Sequence, residues 1–292
     1  MRIVCAGLAT VDLVYRVDRI PRADEKTEAT SAEIAAGGPA TNAAVAACAL
    51  GAEVTLVTAV GAHPLGGLIR ADLGARGVRL LDAAPDASGP PPVSAITVLD
   101  RTGQRTVVSR NAADVAVAVP RDLGRVLASA DAVLVDGHHP ALAAAVARAG
   151  RPLVVDAGSW RPVFAEVFPH ATVVACSAAF RHPTAPAGDA PVATAVLATG
   201  ARHVAITHGP DPISWWSAGR SGTVPVPAVS AADTAGAGDV FHGALAVAVA
   251  RDPAVADLPA ALAYAAGVAA IRVTYPGPRA WLADPRLAAF RA

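Results

Sequence analysis

Asp239 follows directly on Gly236-Ala237-Gly238 and stands just before an apolar helical run from Val240 to Ala250. Small residues at such a place leave backbone N–H groups free at a helix N-terminus, where the dipole favours a bound anion. A carboxylate beside a phosphate is unfavourable unless it takes up a proton. The pairing therefore suggests phosphoryl transfer to a hydroxyl, with Asp239 as general base and the amides of Gly236, Ala237 and Gly238 as the anion hole. Gly238 is expected to keep the phosphate's approach clear and to tolerate φ > 0. The competing roles are an acidic residue favoured by the dipole in a first helical turn, and a plain flexible turn before it. A second small-residue turn, Gly37-Gly38-Pro39-Ala40-Thr41-Asn42, opens another Ala-rich stretch reaching Leu50. Its glycines let backbone approach a ligand closely. Asp12 and Asn42 offer the acceptors and donors that recognition of a polyol needs; a turn residue and a helix cap are their alternatives.

These residues need a scaffold, and short apolar runs supply one. Ile3–Leu8, Val54–Val60, Ala132–Asp136, Leu153–Asp156, Thr172–Cys176 and His203–Thr207 read as strands. Between them lie Ala- and Leu-rich stretches at 40–50, 65–76, 141–149 and 190–199. That alternation predicts an α/β fold of βαβ units around a buried parallel sheet, with ligands beyond the carboxyl ends of the strands. Two regions break the pattern. Val11–Ala36 and Val93–Ser109 alternate apolar with polar residues and read as antiparallel strands with one solvated face. The segment 83–92, rich in Pro, is a stiff connector into the second of them, and 182–190 is a Pro/Gly loop. His138-His139 show no metal-ligand spacing and read as loop residues near a strand end, and Trp215-Trp216 as packing residues.

Composition narrows the function. The 292 residues are 53% hydrophobic and 16% charged, enough for one large α/β domain and unlike a disordered chain. With a formal net charge of zero and no basic run, the chain lacks the cations that sequence-independent nucleic-acid binding requires. Lys26 is the only lysine, and no Gly-x4-Gly-Lys-Ser/Thr pattern occurs. Cys5, Cys48 and Cys176 sit far apart in apolar runs and read as core residues of a reducing compartment. No apolar run reaches membrane-spanning length. The N-terminal residues enter a strand-like run without a signal-peptide layout, so the cytoplasm is expected.

Two of these segments together carry a resemblance. Gly37–Ala46 running into Leu50-Gly51-Ala52, and Asp233-Thr234-x-Gly236-Ala237-Gly238-Asp239, resemble the paired motifs of the ribokinase-like (PfkB) carbohydrate kinases. Asp12, Val60-Gly61, Leu65-Gly66 and Thr207-His208-Gly209 follow in the family's order over nearly the whole chain. The resemblance implies one ribokinase-like domain over 1–292, its mostly parallel sheet flanked by helices. A small β-sheet lid, with strands within 11–36 and 93–110, would project over the sugar. It implies ATP and Mg2+ as cofactors, a K+ site at Asp233 (a structural hydrogen-bonding role being the alternative), and a homodimer formed through the lid. Sugar contacts are expected from Asp12, Gly38, Asn42, Arg110 and Asp239. Nucleotide contacts are expected from Thr207, Gly209, Gly236 and Gly238.

The chain also departs from that pattern. Pro39 stands where relatives often have Lys or Asn, and Pro212 replaces the second Gly of a Thr-x-Gly-x-x-Gly nucleotide loop. Ser177 and Phe180 replace an Asn-x-x-Glu motif, which leaves Mg2+ to phosphate oxygens and water. Arg105-Thr106-Val107-Val108, Asp114-Val115 and Asp156-Ala157-Gly158-Ser159-Trp160 resemble the ketohexokinase branch. The expected reaction is transfer of the γ-phosphoryl group of ATP to a small neutral sugar, a ketohexose. A ribose, nucleoside or sugar-acid kinase and a non-catalytic sugar-binding relative are the alternatives. A nicotinamide oxidoreductase is disfavoured, because Gly236-Ala237-Gly238-Asp239 lacks the third glycine and lies late in the chain.

Overall fold

In the computed structural model, residues 1–112, 117–217 and 219–291 are described. Strand β1 (Arg2–Ala6) shows how its larger sheet is built: Ile3 and Cys5 are buried on one face, Val4 and Ala6 on the other. A strand covered on both faces has no solvated side, which is why such runs read as continuous apolar sequence.

From β1 the chain leaves into β2 (Thr10–Val17) and β3 (Ser31–Gly37), then enters α1 (Pro39–Ala49) and β4 (Glu53–Thr58). Helix α2 (Pro64–Ala75) leads to β5 (Arg79–Asp82), after which β6 (Val93–Leu99) and β7 (Arg105–Ser109) return beside β2. The remainder alternates: α3 (Leu123–Ala128), β8 (Ala132–Val135), α4 (Pro140–Ala147), β9 (Leu153–Ala157), α5 (Phe164–Val167), β10 (Val173–Ser177), α6 (Asp189–Ala198) and β11 (His203–His208). Two hairpin strands, β12 (Asp211–Ser217) and β13 (Arg220–Val224), precede α7 (Ala237–Arg251) and α8 (Leu258–Val273).

Among the described residues, nine strands form the large sheet in the order β13-β12-β11-β10-β9-β8-β1-β4-β5. All pairs are parallel except β11–β12 and β12–β13. This is the mostly parallel, helix-flanked α/β sheet expected above. Helices α1, α2, α7 and α8 cover one face, and α3 to α6 the other. The winding reverses between β1 and β8, and such a reversal opens a crevice at the carboxyl ends of the two strands.

The lid is a separate four-stranded sheet in the order β3-β2-β6-β7. Its outer pairs are antiparallel as expected, but the central pair β2–β6 is parallel, Val11 to Val17 facing Val93 to Leu99. Alternation reports which face is buried and says nothing of direction. The excursion through β4, α2 and β5 brings the chain back to the same end of the lid. Val14, Ile96 and Val98 fill one lid face, while Tyr15, Ile34 and Val108 are exposed.

Candidate active site

Helices α1 and α7 both begin at the crevice. Gly38 caps α1 with φ 94°, and a Cβ there would overlap the Leu8 carbonyl, so the tight passage demands glycine. Pro39 occupies the first turn, where a missing N–H costs nothing. Further along, a Cβ on Gly243 of α7 would strike the backbone of Ala43 in α1. That close crossing sets Asp239, one turn before Gly243, against Asn42, the residue just before Ala43.

The Asn42 Nδ2 donates to Asp239 Oδ2 at 2.8 Å, and Asn42 Oδ1 accepts from Arg279 Nη1 at 3.0 Å. Arginine only donates and a carboxylate only accepts, so the amide orientation is determined by its partners. Arg279 is itself held by Asp72 Oδ2, at 2.8 Å from Nη2 and 3.1 Å from Nε, and by the Ala36 carbonyl. Sequence reading missed Arg279; its only local signal is a lone arginine closing Tyr275-Pro276-Gly277-Pro278.

Asp12 faces the same space from β2. Its Oδ1 accepts from Thr10 Oγ1 at 2.5 Å, and a Cβ on Gly37 would overlap its carboxylate. Burial raises the Asp12 pKa above the usual carboxylate value and the charge of Asp239 adds to the rise, against hydrogen bonds from Thr10 and Ser94 and the charge of Arg279. A cavity of about 240 Å³ lies between lid and crevice, and Asp12, Gly38, Asn42, Gly236 and Asp239 line it together. Arg105 reaches it from the lid strand β7 and Asn111 from the turn after that strand; the expected Arg110 is not part of its wall.

Gly236 takes the left-handed conformation, φ 71°, at the N-cap of α7. The expected positive φ thus belongs to Gly236, while Gly238 lies within the right-handed turn with nothing within 4 Å of an added Cβ. The Ala237 N–H turns back to the Thr234 carbonyl at 3.4 Å. Among the described residues, the amides of Gly236, Gly238 and Asp239 meet no acceptor.

The loop is pinned from below and above. Below, the Asp233 carboxylate is buried; its Oδ1 accepts from the Ala235 amide at 2.8 Å, and its Oδ2 from Arg272 at 3.2 Å and the Gly277 amide at 3.1 Å. This is the structural hydrogen-bonding role for Asp233, with a guanidinium as its ionic partner. Above, the β6–β7 turn of the lid settles on the loop: the Gly103 carbonyl accepts from Thr234 Oγ1 at 3.0 Å, and Arg105 donates to that hydroxyl at 3.2 Å.

The site and the fold can be set beside known proteins. The profile of the pfkB family carbohydrate kinases matches residues 1–284. The chain belongs to that family. This pfkB-family kinase is 28% identical to the ribokinase of Bacillus subtilis over 282 residues, 94% of this chain and 93% of that protein. It is 32% identical over 148 residues to the ATP-dependent ribose-1-phosphate kinase of Halopiger xanaduensis, about half of each. The solved structure of Arabidopsis thaliana ribokinase complexed with ribose and ATP superposes with a TM-score of 0.78 at 23% identity, covering 99% and 97% of the two chains. Membership makes the protein a phosphotransferase with a carbohydrate alcohol group as acceptor.

The other expected residues of this kinase lie away from the cavity. Thr207 ends β11, its hydroxyl on the Cys176 carbonyl at 3.3 Å, and Gly209 turns the β11–β12 hairpin with φ 64°. Phe180, in place of an acidic residue, is buried against Trp160 and Phe168. Ser177 donates to the Gly158 carbonyl at 2.9 Å. Trp215 packs in the core as expected. Asp114-Val115 lie outside the described residues. Among the described residues no group of three or more His, Cys, Asp or Glu gathers for a metal, and no helix is long and apolar enough to cross a membrane.

Proposed function

We propose that this kinase transfers the γ-phosphoryl group of ATP to a hydroxyl of a small neutral sugar, with ribose as the first acceptor to test. The observation that carries the reading is a cavity in which Asp239, oriented through Asn42 and Arg279, stands beside unpaired amides at the head of α7. Asn42 occupies Oδ2 of Asp239 and leaves Oδ1 to receive the proton of the sugar hydroxyl. As that proton leaves, the sugar oxygen bonds to the γ-phosphorus, the bond to the bridging oxygen breaks, and ADP departs. The amides of Gly236 and Gly238, with Ala237 between them, face the charge that builds on the transferring group. Asp12 and the Gly38 turn hold the other hydroxyls. On this reading Thr207 and Gly209 belong to the nucleotide side.

The cradle of free amides fits a phosphate. Mg2+ would be held on phosphate oxygens and water, because among the described residues no acidic cluster offers it a protein site. A K+ ion near Asp233 would depend on backbone carbonyls, since both carboxylate oxygens are engaged. Free, buried Cys5 and Cys176 fit a reducing cytoplasm.

Ribose comes first because the Bacillus subtilis ribokinase aligns over nearly the whole chain. A ketohexose is the second reading, carried by Arg105–Val108 and Asp156–Trp160. A carboxylate at Asp12 would repel a phosphorylated acceptor, and Arg105 already serves Thr234. Measuring ADP release with ribose, fructose, adenosine, ribose 1-phosphate and fructose phosphate decides among these. A clear preference for a phosphosugar or the nucleoside would overturn the neutral-sugar reading.

A further inference from the structure

Helix α7 carries a second titratable side chain that the phosphoryl transfer above does not use. His242 lies three residues beyond Asp239, one turn along the same helix, and is buried. Its Nε2 is 3.3 Å from the Ala175 carbonyl, which can only accept, so Nε2 carries a hydrogen. Its Nδ1 is 3.3 Å from Asp156 Oδ2, at the carboxyl end of β9, and is buried with no aligned hydrogen-bond partner. A bare imidazole nitrogen and an ionised carboxylate both only accept. A bare Nδ1 sealed beside that carboxylate is left unsatisfied, whereas the carboxylate still reaches solvent, a tenth of its side chain being exposed. One proton between them removes the conflict, either as imidazolium against carboxylate or as carboxylic acid against neutral imidazole. With the proton the pair has no net charge; without it the pair carries −1.

We propose that Asp156 and His242 hold one shared proton behind Asp239, and that its loss sets the upper pH limit of phosphoryl transfer. The proposal rests on the reading of Asp239 as base. A negative charge appearing one turn behind Asp239 would oppose the incoming phosphate. At an effective dielectric of about 20, one unit charge within about a Debye length of the reacting phosphate, roughly 10 Å, changes a rate by tenfold or more.

The surroundings agree. Asp239 faces the pair from α7, Asp136 and His138 from the turn after β8, Arg161 from the segment after β9, and Cys176 from β10. Asp136 is committed elsewhere, accepting from the amides of Leu8 at 2.8 Å, His138 at 2.9 Å and Ala40 at 3.2 Å. His138 Nε2 takes a hydrogen bond from Arg161 at 2.5 Å. Neither therefore supplies the missing proton. Burial pushes the Asp156 carboxyl up to about 6, with the charges of Asp239 and Asp136 adding to the rise and His242 opposing it.

Two measurements on the full chain test this. In the first, 15N-histidine spectra are followed from pH 5 to 10. His242 Nδ1 should show a protonated or hydrogen-bonded nitrogen at the acid end of the range that changes in one step as the pH rises, and Asp156→Val should abolish it. An Nδ1 that behaves as a bare, unpaired nitrogen throughout, unmoved by Asp156→Val, overturns the shared proton. In the second, kcat/KM for the accepted sugar is measured against pH. Asp156→Asn still offers Nδ1 an N–H but never ionises, so its alkaline fall should move up by about one pH unit, roughly tenfold more of its own maximum at the wild-type limb. Superimposable wild-type and Asn profiles overturn the role in transfer. If Asp239 itself proves dispensable, the proton-sharing result still stands or falls by the spectra.

Discussion

Removing the amide that orients Asp239 separates base positioning from sugar binding. In Asn42→Ala, Asp239 Oδ2 loses its donor at 2.8 Å and Arg279 loses its acceptor at 3.0 Å. A hydrogen bond to a charged group contributes about 1.5–3 kcal/mol. Realised in the transition state, that corresponds to a kcat loss of roughly 10- to 150-fold. The helix itself should tolerate the change, since alanine is the better helix former. Asn42→Asp probes the same geometry with the opposite sign. It sets a second carboxylate against Asp239, and two like charges so close favour protonation of one. The Asp239 proton affinity rises, the base is protonated up to a higher pH, and the acid limb of the kcat profile moves upward. Steady-state kinetics with the preferred sugar, with thermal melts as control, would decide. If Asn42→Ala keeps kcat within twofold and raises only the sugar KM, Asn42 is a sugar ligand and the orienting chain from Arg279 does not operate.

Other outcomes follow from neighbouring contacts. Asp239→Asn keeps the shape and removes the base, so turnover should fall by about 10²- to 10⁴-fold with sugar affinity changed far less; near-normal turnover would refute the base. Gly236→Ala forces a side chain into the left-handed region and should lower stability by about 1–2 kcal/mol, whereas Gly238→Val meets open space and should lose transfer by blocking phosphate; calorimetry and ATP turnover separate the two. Gly243→Ala pushes α1 away from α7 and should cost about 1–3 kcal/mol, with turnover falling beyond what the melting temperature explains. The exposed Tyr15, Ile34 and Val108 on the outer lid face call for cover by a second copy, so light scattering at micromolar concentration should show a dimer, and a monomer would contradict it.

The sequence by itself determined what local chemistry and short periods can express. Apolar runs alternating with Ala-rich stretches specify strands buried on both faces and the helices that cover them. Gly236 and the Gly37-Gly38 pair mark the two helix starts, because a left-handed or crowded backbone demands glycine there. Tertiary structure decided which of those residues meet. Arg279 reaches Asn42 across 237 positions of sequence, and Arg272 reaches Asp233 across 39. No local pattern encodes either contact. Gly243 reads as an ordinary small residue in a helix until Ala43 packs against it. The parallel pairing of β2 with β6 was equally invisible, since side-chain alternation is the same in both directions. His242 reads as an ordinary helix residue, and Asp156 only as the start of the Asp156–Trp160 segment at a strand end. Only the fold sets His242 Nδ1 3.3 Å from an Asp156 oxygen, in a place where Nδ1 is sealed from water.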